Sequence, residues 1–271
     1  MMRKPTLGLL CVAVASAILS GCGGSGGSGS QSLLPSEPSV PITRGRLIQH
    51  GDEAEYNVFG VATYQGTEWK VRGNRVMRVR SVVGGVLERE DETTLELHRD
   101  SSPPLRIVLR SILYLYQDRE TYQVFVYGYE RQQDRRRFNA RLPYPLILPG
   151  AINQNSNFAT HIVFENDARM NLGWQIGGWE TVPTDAGVVG CYRIREESSW
   201  SESYPSERTF ISTVWFSPQL MTFARMETDL NMWIDDGDGI LEANESASFF
   251  LTYLLRRTNV PLRPPTGVQA Q

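Results

Sequence analysis

Ala247-Ser248-Phe249-Phe250-Leu251-Thr252-Tyr253-Leu254-Leu255, within the longer window Glu242–Arg257, sets the class of fold. Ala247, Phe249, Leu251, Tyr253 and Leu255 fall on every second position, with Ser248 and Thr252 between them. A strand has a side-chain period of two, so these five residues share one face. Glu242–Arg257 is the one stretch where a helix competes, and the helix is the lesser reading because the alternation with Ser248 and Thr252 is clean.

The same period recurs along the rest of the chain. Tyr56, Val58, Gly60 and Ala62 alternate with Asn57, Phe59, Val61 and Thr63. In Val76–Val83, Met77, Val79 and Val83 are expected on one face, with Arg78 and Arg80 on the other. Glu88–Leu97 starts charged and ends in the alternating Thr93-Thr94-Leu95-Glu96-Leu97. Further strands are expected over Arg106–Tyr116, Thr121–Glu130, Ala159–Glu165, Asn171–Val182, Val188–Glu196, Arg208–Phe216 and Leu220–Thr228. Each is rich in β-branched and aromatic residues, and Gly, Pro, Asn or Asp clusters separate them. Strands so closely spaced imply hairpins, hence an antiparallel sheet. Phe125, Tyr127 and Tyr129 stand against Val124 and Val126, so both faces of that strand are apolar and the sheet must curve over a covered side. The expected fold is all-β: one curved antiparallel sheet, open-barrel or sandwich-like, over residues 45–262. Its two halves, 45–142 and 150–258, are separated by a crossover at Leu142–Gly150, where prolines block ladder pairing. A body of about 220 residues buries roughly 70% of its unfolded surface without disulfides.

The amino-terminal end reads differently. Arg3 and Lys4 precede an apolar run from Leu7 to Leu19, followed by Ser20, Gly21 and Cys22. Charge, a run too short to span a bilayer, and small residues before a cut make residues 1–21 a secretory signal. Leu19-Ser20-Gly21-Cys22 resembles the lipobox of bacterial lipoproteins. That resemblance implies diacylglycerol on the Cys22 thiol, cleavage before Cys22, and a third acyl chain such as palmitate on the new amino terminus. In enterobacterial lipoproteins aspartate after the cysteine retains the protein in the inner membrane, so Gly23 implies the outer membrane. Each buried CH₂ contributes about 0.8 kcal/mol, enough for two or three chains to anchor a protein stably. Residues 22–44 form a Gly/Ser/Pro tether spanning roughly 25 Å. Gly23–Gly27 matches G-x-S-x-G in letters only, lacking the strand and helix that would strain the serine. Residues 263–271 read as a disordered tail.

Hydrophobic residues are 41% and charged residues 21%, the composition of an ordinary globular protein. Without residues 1–21 the chain carries 25 basic and 30 acidic residues, a formal charge of −5. That balance gives no drive towards nucleic acid. With Cys11 in the signal and Cys22 acylated, Cys191 has no disulfide partner and reads as a buried, inert thiol, a catalytic thiol being the lesser reading.

Ile234-Asp235-Asp236-Gly237-Asp238-Gly239-Ile240-Leu241-Glu242-Ala243-Asn244-Glu245 is the sharpest local motif. Aligned with a calcium loop, it puts Asp236 third, Asp238 fifth, Gly239 sixth and Glu245 twelfth. Ile234 stands where the first Asp is expected; Asp235 or the nearby Asp229 is the substitute. The candidate calcium ligands are Asp235, Asp236, Asp238, Ile240 through its carbonyl, Glu242 and Glu245. An acidic hairpin loop is the alternative, since Asp-Gly pairs favour turns. His50, His98 and His161 have no metal-ligand spacing. Glu88–Glu92 and Arg135–Arg137 read as solvated turns or edge strands, with lipopolysaccharide phosphate as a lesser partner for the arginines. Trp174, Trp179, Trp200, Trp215 and Trp233 read as core or turn packing, or as a sugar or lipid platform.

Gly177-Gly178-Trp179-Glu180-Thr181-Val182-Pro183-Thr184-Asp185-Ala186-Gly187, leading into Cys191-Tyr192-Arg193-Ile194, and then Val214-Trp215-Phe216-Ser217-Pro218-Gln219-Leu220, are similar to bacterial envelope proteins called TapB-like. The resemblance covers about residues 145–256. It implies hairpins and a curved sheet like the open barrels of periplasmic lipoprotein carriers, and no catalytic residues. The sequence departs from that pattern at Met221, where relatives carry glycine. The sequence therefore leads to a non-enzymatic lipoprotein held at the outer membrane by acyl chains, with an apolar-ligand or interaction module for an envelope protein or lipid. A calcium-stabilised structural domain and an envelope hydrolase are the alternatives.

Overall fold

The computed structural model describes residues 44–100, 103–130, 135–201, 208–233 and 246–262. Among them every regular element is a strand. The strands are β1 (Glu53–Tyr64), β2 (Thr67–Val83), β3 (Val86–His98), β4 (Leu105–Gln117), β5 (Val124–Glu130), β6 (Arg137–Asn139), β7 (Leu146–Leu148), β8 (Asn157–Val163), β9 (Arg169–Thr184), β10 (Gly187–Ser201), β11 (Arg208–Ser217), β12 (Thr222–Trp233) and β13 (Ser246–Thr258).

They form one antiparallel sheet in the order β6-β5-β4-β3-β2-β1-β13-β12-β11-β10-β9-β8, with β7 beside β5. The chain meanders outward from β1 to β6. It crosses to the opposite edge through the proline-containing stretch before β8 and meanders back. The alternating stretch Ala247–Leu255 lies in β13, the closing strand. It pairs with β1 from Ala54↔Thr258 to Tyr64↔Ala247 and joins the two meanders. Ala247, Phe249, Leu251, Tyr253 and Leu255 are all buried, as the period of two requires.

The sheet is strongly curved and is not closed along its length. Among the described residues its edges meet at one corner, through the Ala140–Phe164 bridge, Arg141 N–H donating to Val163 O at 2.8 Å and Glu165 N–H to Asn139 O at 3.0 Å. Gly60 and Gly73 permit part of the curvature: a Cβ at either would sit 2.0 Å from a carbonyl oxygen of the neighbouring strand, Phe250 O and Thr94 O respectively. Bulges at Val79/Ser81 and Tyr114/Leu115 add local bends. The first bulge corrects one expectation. The register shift turns Val83 away from the Met77 and Val79 face, and Val83 is 75% exposed.

The core lines the concave side, with inward residues from every long strand. The charged run Glu88–Glu92 is a second correction. It lies within β3, which is paired on both sides by β2 and β4, so it is neither a turn nor a sheet edge. Its alternate residues face opposite ways, sending Asp91 into the core. One end of the sheet is crossed by the segment before β1. Gly45 N–H donates to Gly150 O, Ile48 N–H to Gln117 Oε1 at 2.8 Å, and Arg46 Nε to Gln219 O at 2.8 Å. These bonds tie residues 44–48 to the end of β4, to the crossover and to the β11–β12 turn.

Candidate functional site

The sheet's interior contains charge. On β2 and β3 the inward positions read Arg75, Met77 and Val79 opposite Thr93, Asp91 and Arg89. The strand period alone places Arg75, Asp91 and Arg89 on the core side. Arg75 is 1% exposed and Asp91 4%. They form a two-pronged ion pair, Nε to Oδ1 at 2.8 Å and Nη2 to Oδ2 at 2.5 Å. The Arg75 guanidinium also lies 5.2 Å from the Phe223 ring centre and 5.4 Å from that of Tyr253. Burial works against its charge, and the Asp91 carboxylate more than offsets this, so its pKa is raised. Tyr56 sits alongside. It stacks on Phe223 with ring centres 4.3 Å apart, and its hydroxyl donates to Phe223 O at 3.0 Å. Burial raises the Tyr56 pKa.

Arg89 is different. Its cross-strand neighbours Val79 and Leu113 are apolar. Its Nε is buried without an acceptor, and it makes no ion pair among the described residues. Burial lowers its pKa; the nearby Arg75 charge lowers it further, and Asp91 opposes both. Arg89 borders two cavities of about 70 and 40 Å³ that share Ile48, Met77, Met221 and Thr222 in their walls. The larger is otherwise mostly apolar, with Leu115, Ile147, Trp174 and Phe216 in its wall. Ile48 and Met221 belong to the segment and turn at the covered end of the sheet.

A second buried acid lies in the returning meander. Glu196 on β10 is fully buried, between Trp174 on β9 and Ser212 on β11. Trp174 Nε1 donates to Glu196 Oε2, while Glu196 Oε1 and Ser212 Oγ have no partner among the described residues. Burial pushes the Glu196 pKa well above its ordinary 4.5, against the smaller effect of the Trp174 bond.

The residues singled out from sequence fall mainly elsewhere. Cys22 and all six candidate calcium ligands, Asp235, Asp236, Asp238, Ile240, Glu242 and Glu245, lie outside the described residues. The flanking residues Trp233 and Ser246 are paired across β12 and β13. Among the described residues no three His, Cys, Asp or Glu side chains converge as a metal site. Cys191 is fully buried, and burial, then the Glu180 charge, raise its thiol pKa. Trp174, Trp200 and Trp215 are buried in the core. Arg137 lies 3.8 Å from the Tyr114 ring centre on the outer face, where Tyr114 donates to Glu130. The β9–β10 hairpin turns at Asp185-Ala186, and Pro218 lies in the β11–β12 turn. Met221 closes that turn at φ +56°, a backbone region that favours glycine. No sequence motif marks Arg75, Asp91 and Arg89 as site residues, although Leu87-x-Arg89-x-Asp91-x-Thr93-x-Leu95-x-Leu97 places the β3 pair in phase with the apolar face.

The molecule so defined is an all-β protein on one open, curved antiparallel sheet. The sequence matches no protein-family profile and no curated protein. Among solved structures it is similar to a protein of Bacteroides fragilis described as exported and of YmcC-like fold. That match has 11% identity and a TM-score of 0.39, covering 80% of this chain and 100% of that one. A Parabacteroides distasonis protein described as a lipoprotein matches at 13% identity and a TM-score of 0.35, over 81% of this chain and 100% of that one. Neither likeness is close enough to carry an argument about role.

Proposed function

We propose that this chain is a non-enzymatic lipoprotein of the bacterial envelope, anchored at the outer membrane through acylated Cys22, whose curved sheet takes up a small apolar ligand. The carrying observation is the 70 Å³ cavity on the concave side, walled largely by apolar side chains beneath the segment 44–48. Its apolar lining with a few polar groups has the character of a ligand site, at a volume that suits only a molecule of a few heavy atoms. The signal Arg3 to Cys22 supports the anchor, and the tether from Gly23 supports a domain standing clear of the lipid headgroups. Replacing Cys22 with alanine should move the protein from the detergent phase to the aqueous phase; unchanged partitioning removes the anchor. Thermal denaturation with millimolar 1-hexanol or hexanoate should show a raised midpoint, and no shift with either removes the ligand reading.

A second reading is supported by Asp236, Asp238, Gly239 and Glu245, whose spacing suits calcium and whose flanking strands are paired. In that reading calcium stabilises the β12–β13 connection. Titration calorimetry to several millimolar calcium should give a saturable heat that Asp238→Asn and Glu245→Gln abolish; a flat titration of the unsubstituted chain eliminates it.

A further inference from the structure

We infer that Arg89 is an anion-binding residue of the concave cavity, and that the ligand is a small organic carboxylate with a short apolar chain. This rests on the apolar-ligand reading above and specifies its chemistry. Arg89 projects from β3 between the apolar Val79 and Leu113, and its Nε has no acceptor. The nearest interior carboxylate, Asp91, is already held at both oxygens by Arg75, so the trio carries one uncompensated positive charge. Asp52 and Glu53 border the smaller cavity, but Arg46 and Arg78 engage them there. Arg89 borders both cavities, with the Thr222 hydroxyl in the same walls as a second polar group.

Arg89 is half-buried and its buried Nε lacks an acceptor, which is costly, and an incoming carboxylate meets the guanidinium geometry with two parallel N–H···O bonds. The apolar wall selects the body of the ligand behind its head group. Leu115, Ile147, Trp174 and Phe216 offer no hydrogen bonds to a polar body beyond the Trp174 indole, which is given to Glu196. The 70 Å³ cavity has room for roughly five water-sized groups, which sets the chain at about four to six carbons. An alcohol of the same length fills the same space without the charge, so it separates cavity filling from recognition by Arg89.

The test is titration calorimetry on the mature full-length chain with Cys22→Ala, which avoids detergent. Butanoate, hexanoate and decanoate are compared with 1-hexanol and with inorganic phosphate. The expected result is saturable hexanoate binding at least tenfold tighter than that of 1-hexanol, with decanoate and phosphate weaker than hexanoate. The Arg89 Nε–Hε signal in ¹H–¹⁵N spectra should shift with hexanoate and not with 1-hexanol. In Arg89→Met the two six-carbon ligands should bind alike, and Arg89→Lys should recover part of the preference. Should Arg89→Met not fold, the spectra and ligand comparison of the Cys22→Ala protein decide alone. Equal binding of hexanoate and 1-hexanol overturns the role of Arg89 and leaves the apolar-ligand reading intact. No binding of either at millimolar concentration overturns both. Tighter binding of phosphate, or of decanoate, overturns the stated ligand class.

Discussion

Removing Asp91 is the sharpest perturbation of the interior. Asp91 accepts two hydrogen bonds from Arg75, and neither partner is more than 4% exposed, so solvent has no access to replace what is lost. Asp91→Asn keeps the shape and one acceptor oxygen but removes the negative charge. Two guanidiniums, Arg75 and Arg89, then face each other's field with no interior carboxylate between them. Breaking a buried pair by deleting one partner costs about 3–5 kcal/mol. The surviving neutral hydrogen bond retains about 1 kcal/mol of this, leaving an expected loss of about 3 kcal/mol. At about 2–4 °C per kcal/mol for a domain of this size, the thermal midpoint should fall by about 6–12 °C. Urea unfolding followed by tryptophan fluorescence measures the loss directly, with an unchanged m-value required. The double variant Arg75→Met with Asp91→Val supplies the decisive comparison. It removes both charges, and replacement of a buried pair by apolar residues is often neutral or stabilising. It should therefore lie within about 1 kcal/mol of the starting protein or above it. If Asp91→Asn costs under about 1 kcal/mol, or the double variant is less stable than the single, Arg75 and Asp91 do not act as one structural unit.

Other expectations concern pH and the β11–β12 turn. The folded pKa of Glu196 is raised by burial above its unfolded value near 4.5, so above that value the folded state holds a proton that the unfolded state has released. Stability should therefore be full below about pH 4 and decline as pH rises towards the folded pKa, by at most about 1.4 kcal/mol per unit. Glu196→Gln should remove that part of the slope, as read from urea midpoints between pH 5 and 9; an unaltered slope means Glu196 is ionised when folded. At Met221 two effects compete. Glycine would relieve about 1–2 kcal/mol of left-handed backbone cost at φ +56°. Losing a Met side chain only 7% exposed costs about 2–5 kcal/mol. Met221→Gly should thus destabilise by about 1–3 kcal/mol, and a more stable variant in thermal denaturation would show that strain dominates the turn.

The fold class was legible because a half-buried strand writes its face into alternate letters. Tyr56-x-Val58 on β1 and Phe249-x-Leu251-x-Tyr253 on β13 carry that pattern with no interfering charge, and the two strands prove to be neighbours. The pairing itself is less local. β1 and β13 are joined by no short turn, so their contact follows only from curvature that brings the returning meander round to the first strand. Glycines at 60 and 73 and the bulges contribute to that curvature, and neither feature alters the hydrophobic count from which strands are read. Charge hid the interior site for a related reason. Glu88-Arg89-Glu90-Asp91-Glu92 looks like a solvated run when read by composition, because five adjacent charges outweigh the alternation. Read by phase it continues Leu87 on one side and Leu95 and Leu97 on the other, so its second and fourth members must face inward with them. Such a placement survives only with a partner of opposite sign, and the partner sits on β2, at Arg75, sixteen residues earlier. Arg89 then stands out by subtraction: three inward charges, one pair formed, one cation left over. No spacing within β3 alone announces that remainder, because it depends on Asp91 being occupied across the strand boundary. Where a strand carries ionisable groups in phase with its apolar face, charge must therefore be balanced over paired strands before any residue of it is assigned to solvent.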